Sequence, residues 1–508
     1  MQHWRPTFSP DYAAATRAYA LDCAAMLLLF FAVALMTGRV WRFPFDDEIY
    51  TLTTIERYSA LKLAAVYPGS ADVHPPLSYL LFQALQQLGL SEPGMRLVSL
   101  SMTALALVLF QVLALGMIAQ RGGAVLATRL VTVLLFGLCP LALSQGDALR
   151  WYPLFALLIA LFVTLYLAGR NNAARLWAAA ALGLAGSTNV LAGMAAVAFA
   201  IYRYGLERRW RAAFDLPFWG LAALFGSLGI YTVLSLLLAR SGEIGRQLGD
   251  GILRSALTDG LGFFGGAALG PSQAWIVVPV GVIAALVAFA AIDRKRPEQP
   301  AHLLLLMLGA AALTIVPGFD KPRSFLYLAP AVTLLLTLFI DGQVRESRFG
   351  RVLVVAALLL AGSVAAIANI AHNPHPFKRA AVIPYQSILD FIDSNGTGRV
   401  LVVSTDPVVA WLLNQRRNGE RCTGFFLRAR ACLDAGQHYD SIFTVHGQSD
   451  KSGNAAVMGR FSALSDAATA GRHKVATLAA GRDEDAALKR RLTGVGLDKI
   501  LLTVDFYQ

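Results

Sequence analysis

The sequence predicts an α-helical protein that crosses a membrane many times and ends in a small α/β domain. Of its 508 residues, 56% are hydrophobic and only 15% are charged, whereas soluble domains carry about 25% charged residues. Apolar runs of about 17 to 24 residues recur through the first three quarters, and each is long enough to cross a hydrocarbon core. After about residue 372 these runs stop and charged residues become frequent. We therefore predict a membrane module over residues 1–372 and a separate domain over 373–508.

About eleven membrane spans are predicted from the apolar runs. They lie near residues 20–38, 97–119, 124–143, 152–168, 173–187, 189–203, 216–239, 274–292, 301–317, 324–340 and 351–371. The fifth and sixth are so close together that they also fit one re-entrant hairpin.

Arginine-rich loops alternate with loops that are poor in arginine, and the positive-inside rule predicts that the former are cytoplasmic. The net charge of +12 therefore does not indicate a nucleic-acid partner. The N-terminus is predicted on the cytoplasmic side, and the loops at 43–96, 144–151, 240–273 and 318–323 on the outer side with everything after 372. Arg39 and Arg42 break the rule. They fit either interfacial residues that extend to water or a cationic rim for an anionic lipid head group.

Two amphipathic helices are predicted in the first outer loop, residues 43–96. From Glu48 to Lys62 apolar residues recur at helical spacing, which fits a helix lying in the membrane interface. Pro75 and Pro76 can open a second helix, because proline is tolerated in a first turn, and its apolar face would begin with Leu77. The glycine-rich loop at 240–273 fits either a lid over a substrate or a plain connector.

Helix and strand patterns alternate in the C-terminal domain, which is typical of an α/β fold. Strands are predicted at 399–404, 441–445 and 499–504, and helices at 387–394, 408–415 and 486–492. No phosphate-binding glycine fingerprint occurs there, so an accessory role is expected. Cys422 and Cys432 are predicted to form a disulfide in an oxidising compartment; the alternative, a zinc site, lacks two further ligands at suitable spacing.

The three carboxylates Asp46, Asp47 and Glu48 follow the first span on the outer side. Asp47 is predicted to be a general base, because like-charged neighbours and partial burial both raise the basicity of a carboxylate. The alternative is that all three stabilise the start of the interfacial helix. A divalent metal with Asp46 or Glu48 as ligands would lack a clear further ligand, so no metal and no other cofactor are predicted.

Cations on the same side suit a phosphate. Arg150 and Tyr152 stand at the start of the fourth span, and Lys321 with Arg323 lies between the ninth and tenth. Arginine presents a fork that matches phosphate oxygens, although Arg150 or Arg323 could instead pair with Asp147 or Asp320. His74 could donate a hydrogen bond to a substrate or serve only at the head of a helix.

The stretch DDEIYTLTTIERYSALKLAAVYPGSADVHPPLSYLLFQAL resembles the first outer loop of GT-C glycosyltransferases. It is similar to the group of protein mannosyltransferases, aminoarabinose transferases and lipopolysaccharide-core galacturonosyl transferases. The shared pattern is an Asp-Glu pair, an aromatic residue two positions later and Pro-Pro-Leu about 25 residues on. Here these are Asp47-Glu48, Tyr50 and the segment His74–Leu77. SQGDALRWYPLFALL and KPRSFLYLAP resemble later loops of the group.

The resemblance implies an inverting sugar transferase of a bacterial inner membrane that uses a polyprenyl-phosphate sugar. Asp47 would be the base, supported by Glu48 and Asp46. Arg323, Lys321 and Arg150 would bind the phosphate, and His74, Tyr50 and Tyr152 would position substrate. The acceptor would be lipid A or core oligosaccharide, another envelope glycan or a protein. The alternatives are a flippase for lipid-linked sugars and a polysaccharide polymerase or ligase.

Overall fold

A computed structural model describes the chain over most of its predicted spans and most of its C-terminal domain. The described residues are 19–42, 44, 46–65, 74–119, 126–169, 171–207, 212–239, 302–304, 306–308, 326–345, 367, 384–416, 421–425, 433, 436, 438–447, 455–482 and 500–508. For Asp46, Asp47 and Cys422 only the backbone is described. The loop at 240–273, the span at 274–292 and the helix at 486–492 lie outside the described residues, as does the span at 351–371 except for Ile367. Of the span at 301–317, the six residues 302–304 and 306–308 are described, and all six are helical.

The chain divides into two compact units. One contains residues 1–42 and 51–371, and the other contains residues 43–50 and 372–508. Helix α2, Asp46–Arg57, therefore begins in the second unit and ends in the first.

The first unit is helical throughout its described residues. Its helices are α1 (Ala20–Met36), a 3₁₀ turn (Arg39–Trp41), the remainder of α2, α3 (Ala60–Ala65), α4 (Leu77–Gln87), α5 (Glu92–Ala119), α6 (Leu126–Gly137), α7 (Pro140–Gln145), α8 (Trp151–Ala168), α9 (Asn172–Thr188), α10 (Ala192–Ala200) with a π-helical continuation (Ile201–Leu206), α11 (Ala212–Phe225), α12 (Ser227–Ala239) and α13 (Ala329–Arg345). Helix α9 packs against α8 and α11, and α5 packs against α8 and α13.

Four stretches of helix among the described residues are long and apolar enough to cross a membrane: Glu92–Ala119, Leu126–Gln145, Trp151–Ala168 and Leu326–Arg345. Helices α11 and α12 add a fifth if the pair counts as one span, since they are bent by 63° at Gly226. The protein is a multi-pass membrane protein, and the predicted fold class is confirmed.

The first predicted interfacial helix is interrupted. Instead of running from Glu48 to Lys62, α2 ends at Arg57 and α3 starts at Ala60. The side-chain amide of Gln83 in α4 donates to the carbonyl oxygens of Ile55 (2.9 Å) and Tyr58 (2.6 Å). Carbonyl groups at a helix end need such partners, so α4 stabilises the break. The hydrophobic periodicity of residues 48–62 could not predict this contact, because Gln83 belongs to a different helix.

The second unit has a mixed five-stranded sheet in the order β2-β1-β3-β5-β4. Its elements are α14 (Tyr385–Asn395), β1 (Val400–Ser404), α15 (Pro407–Arg416), β2 (Arg421–Phe425), β3 (Ser441–Gly447), α16 (Ala455–Thr469), β4 (Lys474–Arg482) and β5 (Ile500–Tyr507). Strands β2, β1 and β3 are parallel, whereas β5 runs antiparallel to β3 and β4. The three predicted strands are present; β2, β4 and α16 were not predicted.

Each face of this sheet has its own apolar cluster. The first, here called cluster A, contains Ile49, Tyr385, Ile388, Leu389, Ile392, Val400, Val402, Val408, Val409, Leu412, Leu413, Phe443, Val445, Ala480, Leu502, Val504 and Phe506. The second, cluster B, contains Leu401, Val403, Tyr439, Ile442, Phe461 and Ala468. Alternate residues of β1 enter opposite clusters, as the period of a strand requires.

Candidate functional site

Arg150 lies where three helices of the first unit meet. It is the residue before α8 in extended backbone conformation, and only 7% of it is exposed. Its Nη1 donates to the Thr51 hydroxyl on α2 and to the Tyr79 hydroxyl on α4, both at 3.2 Å. A guanidinium presents several N–H donors in a fixed fork, and this geometry suits it to bind an anion.

His74 is held in a defined tautomer by Asn189. The backbone N–H of Leu191 donates to Asn189 Oδ1 at 2.8 Å, so the amide nitrogen of Asn189 faces His74 Nδ1 at 3.2 Å. An amide nitrogen only donates, so Nδ1 accepts and the neutral ring carries its hydrogen on Nε2. His74 is thereby prepared as a hydrogen-bond donor through Nε2.

Aromatic rings connect His74 with the start of α8. The ring centroids of His74 and Trp151 are 5.4 Å apart, and those of Trp151 and Tyr152 are 4.5 Å apart in an edge-to-face arrangement. Trp151 follows Arg150 directly and is 2% exposed. Its indole Nε1 is buried and has no hydrogen-bond partner among the described residues. The structure thus brings His74, Arg150 and Tyr152 into one neighbourhood.

Asp147 is the centre of a buried ionic cluster. Its Oδ1 lies 2.6 Å from Arg39 Nη2 and its Oδ2 lies 2.7 Å from Arg42 Nε. Arg96 Nη1 is 3.6 Å from the same Oδ2 and also pairs with Glu92 at 2.6 Å. Arg39 additionally donates to the carbonyl oxygen of Ser144. Three arginines therefore converge on Asp147, and one of them also pairs with Glu92.

This cluster changes the interpretation of Arg39 and Arg42. Two alternatives were predicted for these arginines, extension to water at the interface or a cationic rim for a lipid head group, and neither included an ion pair. In the structure both side chains are buried and pair with Asp147. Arg96, Thr51 and Tyr79 were not predicted as site residues at all. The one available signal was Arg96 itself, a charged residue near the beginning of a long apolar helix, where ionisable residues are costly.

An apolar cavity of about 380 Å³ lies between α9, α10 and the bent pair α11–α12. Small residues such as Gly183, Gly193, Gly226 and Gly229 line it. Another lining residue, Val190, directly follows Asn189, the partner of His74. One residue of the cavity lining therefore lies in the short loop that contains Asn189. The volume and apolar lining of the cavity are typical of a ligand pocket.

The predicted carboxylates lie in the first turn of α2. For Asp46 and Asp47 the side chains are not among the described atoms, whereas Glu48 is fully buried and Tyr50 is 38% exposed. Lys321, Arg323 and Cys432 lie outside the described residues, so the predicted phosphate contacts and the disulfide of Cys422 with Cys432 stay predictions. Within the described part of the chain, no three His, Cys, Asp or Glu residues form a group that could hold a metal.

Comparison with known proteins places the fold. No family model matches the chain, and no curated protein matches it. A crystal structure of ArnT from Cupriavidus metallidurans bound to undecaprenyl phosphate matches with a TM-score of 0.53 at 14% identity, covering 97% of this chain and 98% of ArnT. The apo ArnT structure matches with a TM-score of 0.50 at 13% identity over the same shares. The two proteins share a fold along nearly their whole length, so this chain has an ArnT-like fold, with apolar spans followed by a small mixed sheet.

Proposed function

We propose that the protein is a membrane glycosyltransferase that moves a sugar from a polyprenyl-phosphate donor to an acceptor in the cell envelope. The observation that carries the proposal is the buried, hydrogen-bonded Arg150, whose neighbour Trp151 contacts His74. His74 in turn contacts Asn189, and the next residue, Val190, lines the apolar cavity. A phosphate on a long hydrocarbon chain needs this combination of fixed cation and apolar space. The fold supports it, because the similar ArnT structure holds undecaprenyl phosphate.

In the proposed reaction Arg150, with Lys321 and Arg323, binds the donor phosphate. Fixed cations lower the energy of a transition state in which negative charge grows on the leaving phosphate. The polyprenyl tail occupies the cavity between α9 and α12.

Asp47 acts as the general base. It takes the proton of an acceptor hydroxyl as that oxygen attacks the anomeric carbon. The bond from this carbon to the phosphate oxygen breaks, and polyprenyl phosphate leaves with the electron pair, which inverts the anomeric configuration. Glu48 and Asp46 support the base, while Tyr50, Tyr152 and the Nε2–H of His74 position the substrates.

The same proposal places the site at the outer face of a bacterial inner membrane. The N-terminus is then cytoplasmic, and residues 373–508 form a periplasmic domain in which the Cys422–Cys432 disulfide is stable. The acceptor is lipid A or core oligosaccharide, another glycan or a protein.

Asp47→Asn tests the proposal. Membranes that contain native envelope glycolipids are given labelled undecaprenyl-phosphate pentose, hexose or uronic acid, and both donor consumption and labelled product are measured. General-base catalysis contributes about 100- to 10,000-fold, so we expect a loss in that range without loss of protein. Asp466→Asn, an equivalent change at an exposed position on α16, keeps full activity.

Asp47→Asn membranes that retain more than about a tenth of the wild-type rate would refute Asp47 as the base. Wild-type protein that moves the labelled lipid across a bilayer without consuming it would refute the transferase and favour a flippase.

A further inference from the structure

The first turn of α2 belongs to the second unit, here also called the C-terminal unit, although the 321 residues 51–371 of the first unit separate it in the chain from residues 372–508. Ile49, which directly follows Glu48, is 4% exposed and is a member of cluster A. The other members come from α14, α15 and four strands of the sheet. The carboxylate motif is therefore attached to the core of this unit through the residue at its end.

A helix start needs such an attachment if it is to be rigid. The first four N–H groups of a helix have no partner within it, and a short helix is marginal without tertiary packing. Asp46, Asp47, Glu48 and Ile49 form one continuous helical turn. Fixing Ile49 in a close-packed core therefore also restricts the backbone of the three carboxylate residues. Glu48 is fully buried as well, so this turn is not a solvated loop.

We propose that Ile49 is a positioning residue and that the C-terminal unit holds the carboxylate turn in its reactive place through cluster A. This inference rests on the proposed function for its catalytic consequence, because a base must keep its distance to the reacting hydroxyl. Displacement of a catalytic group by about 1 Å can cost about 100-fold in rate. The C-terminal unit then acts as part of the catalytic framework, in addition to any contact with an acceptor.

Hydrogen exchange on the full-length protein, without substrate, tests the attachment. The reporters are the amides of residues 50–53, whose helical hydrogen bonds go to the carbonyls of residues 46–49. Two matched variants truncate a fully buried leucine of the same unit: Leu389→Ala in cluster A and Leu401→Ala in cluster B. We expect exchange at 50–53 to accelerate at least tenfold in Leu389→Ala and to stay at the wild-type rate in Leu401→Ala.

Ile49→Ala and Ile49→Val complete the design. We expect Ile49→Ala to accelerate hydrogen exchange at the amides of residues 50–53 and to lower kcat about tenfold, with KM for the donor unchanged. Ile49→Val should return most of the wild-type exchange protection and most of the wild-type kcat. Equal exchange in the two leucine variants, or wild-type exchange in Ile49→Ala, overturns the inference whether or not the protein transfers sugar. If the exchange pattern appears but wild-type protein transfers no sugar, the attachment stands and the proposed function fails.

Discussion

Asp147→Asn removes the charge that holds buried arginines together in the membrane unit. The side chain of Asp147 is fully buried, and those of Arg39 and Arg42 are each 2% exposed, with ion-pair distances of 2.6 and 2.7 Å. Removing one partner of a buried ion pair costs about 3–5 kcal/mol, because the remaining charge stays in a medium that solvates it poorly. Arg96 lies 3.6 Å away and adds a third cation, so we expect a loss near the upper end of this range.

The assay is the free energy of unfolding in mixed micelles, measured by titration with a denaturing detergent. Asp22→Asn is the control, since it makes the same change in a pair with Arg129 whose side chains are 14% and 32% exposed. Partly solvated pairs contribute about 0.2–1 kcal/mol. Adding Arg39→Gln to Asp147→Asn should recover part of the loss, with a coupling energy of about 0.5–3 kcal/mol. Equal losses in the Asp147 and Asp22 variants would refute the reasoning.

Two further predictions concern the cavity and the C-terminal sheet. Gly193→Leu should raise KM for the polyprenyl donor about tenfold in initial-rate assays. Gly193 lines the cavity, and a Cβ added to it would meet no atom within 4 Å. Gly220 is equally open but lies outside the lining, so Gly220→Leu should leave KM unchanged. Burial would raise the pKa of the Asp505 carboxyl, but hydrogen bonds from Lys474, Thr477 and His446 hold that pKa below its usual range. Its stabilising contribution is therefore present above about pH 4 and lost as the pH falls further, so Asp505→Asn should flatten the acid decline in thermal stability measured by near-UV circular dichroism. Parallel acid declines would contradict this.

The sequence predicted features that depend on local periodicity. The second helix of the first outer loop was expected to open at Pro75 and Pro76, and α4 begins directly after them at Leu77. Strand β1 was expected at 399–404, where a run of β-branched residues leaves little ambiguity. Strand β4, rich in alanine and glycine, has a weak strand signal and was missed.

Contacts between distant parts of the chain could not be predicted in this way. Arg39 and Arg42 lie 108 and 105 residues from Asp147, and no spacing rule connects them. Ile49 was expected to face a membrane interface, because an apolar helix face fits an interface and a protein core equally well. Its burial in cluster A depends on residues more than 330 positions later. The residues alone predicted a general base at the carboxylate motif with a helix start as the alternative, and the resemblance added support for the base.

The glycines around the bend between α11 and α12 are of two kinds. A Cβ on Gly183 would lie 2.4 Å from the carbonyl oxygen of Ala222, and one on Gly229 would lie 2.2 Å from that of Gly186, so these two allow the backbones to touch. No atom would lie within 4 Å of a Cβ on Gly193. The missing side chain at this position therefore only leaves volume unoccupied in the cavity. Gly183 and Gly229 therefore serve both the close approach of the helices and the lining of the cavity, whereas Gly193 affects only the lining. A larger side chain at Gly193 can change the volume of the cavity without disturbing the crossing of the helices.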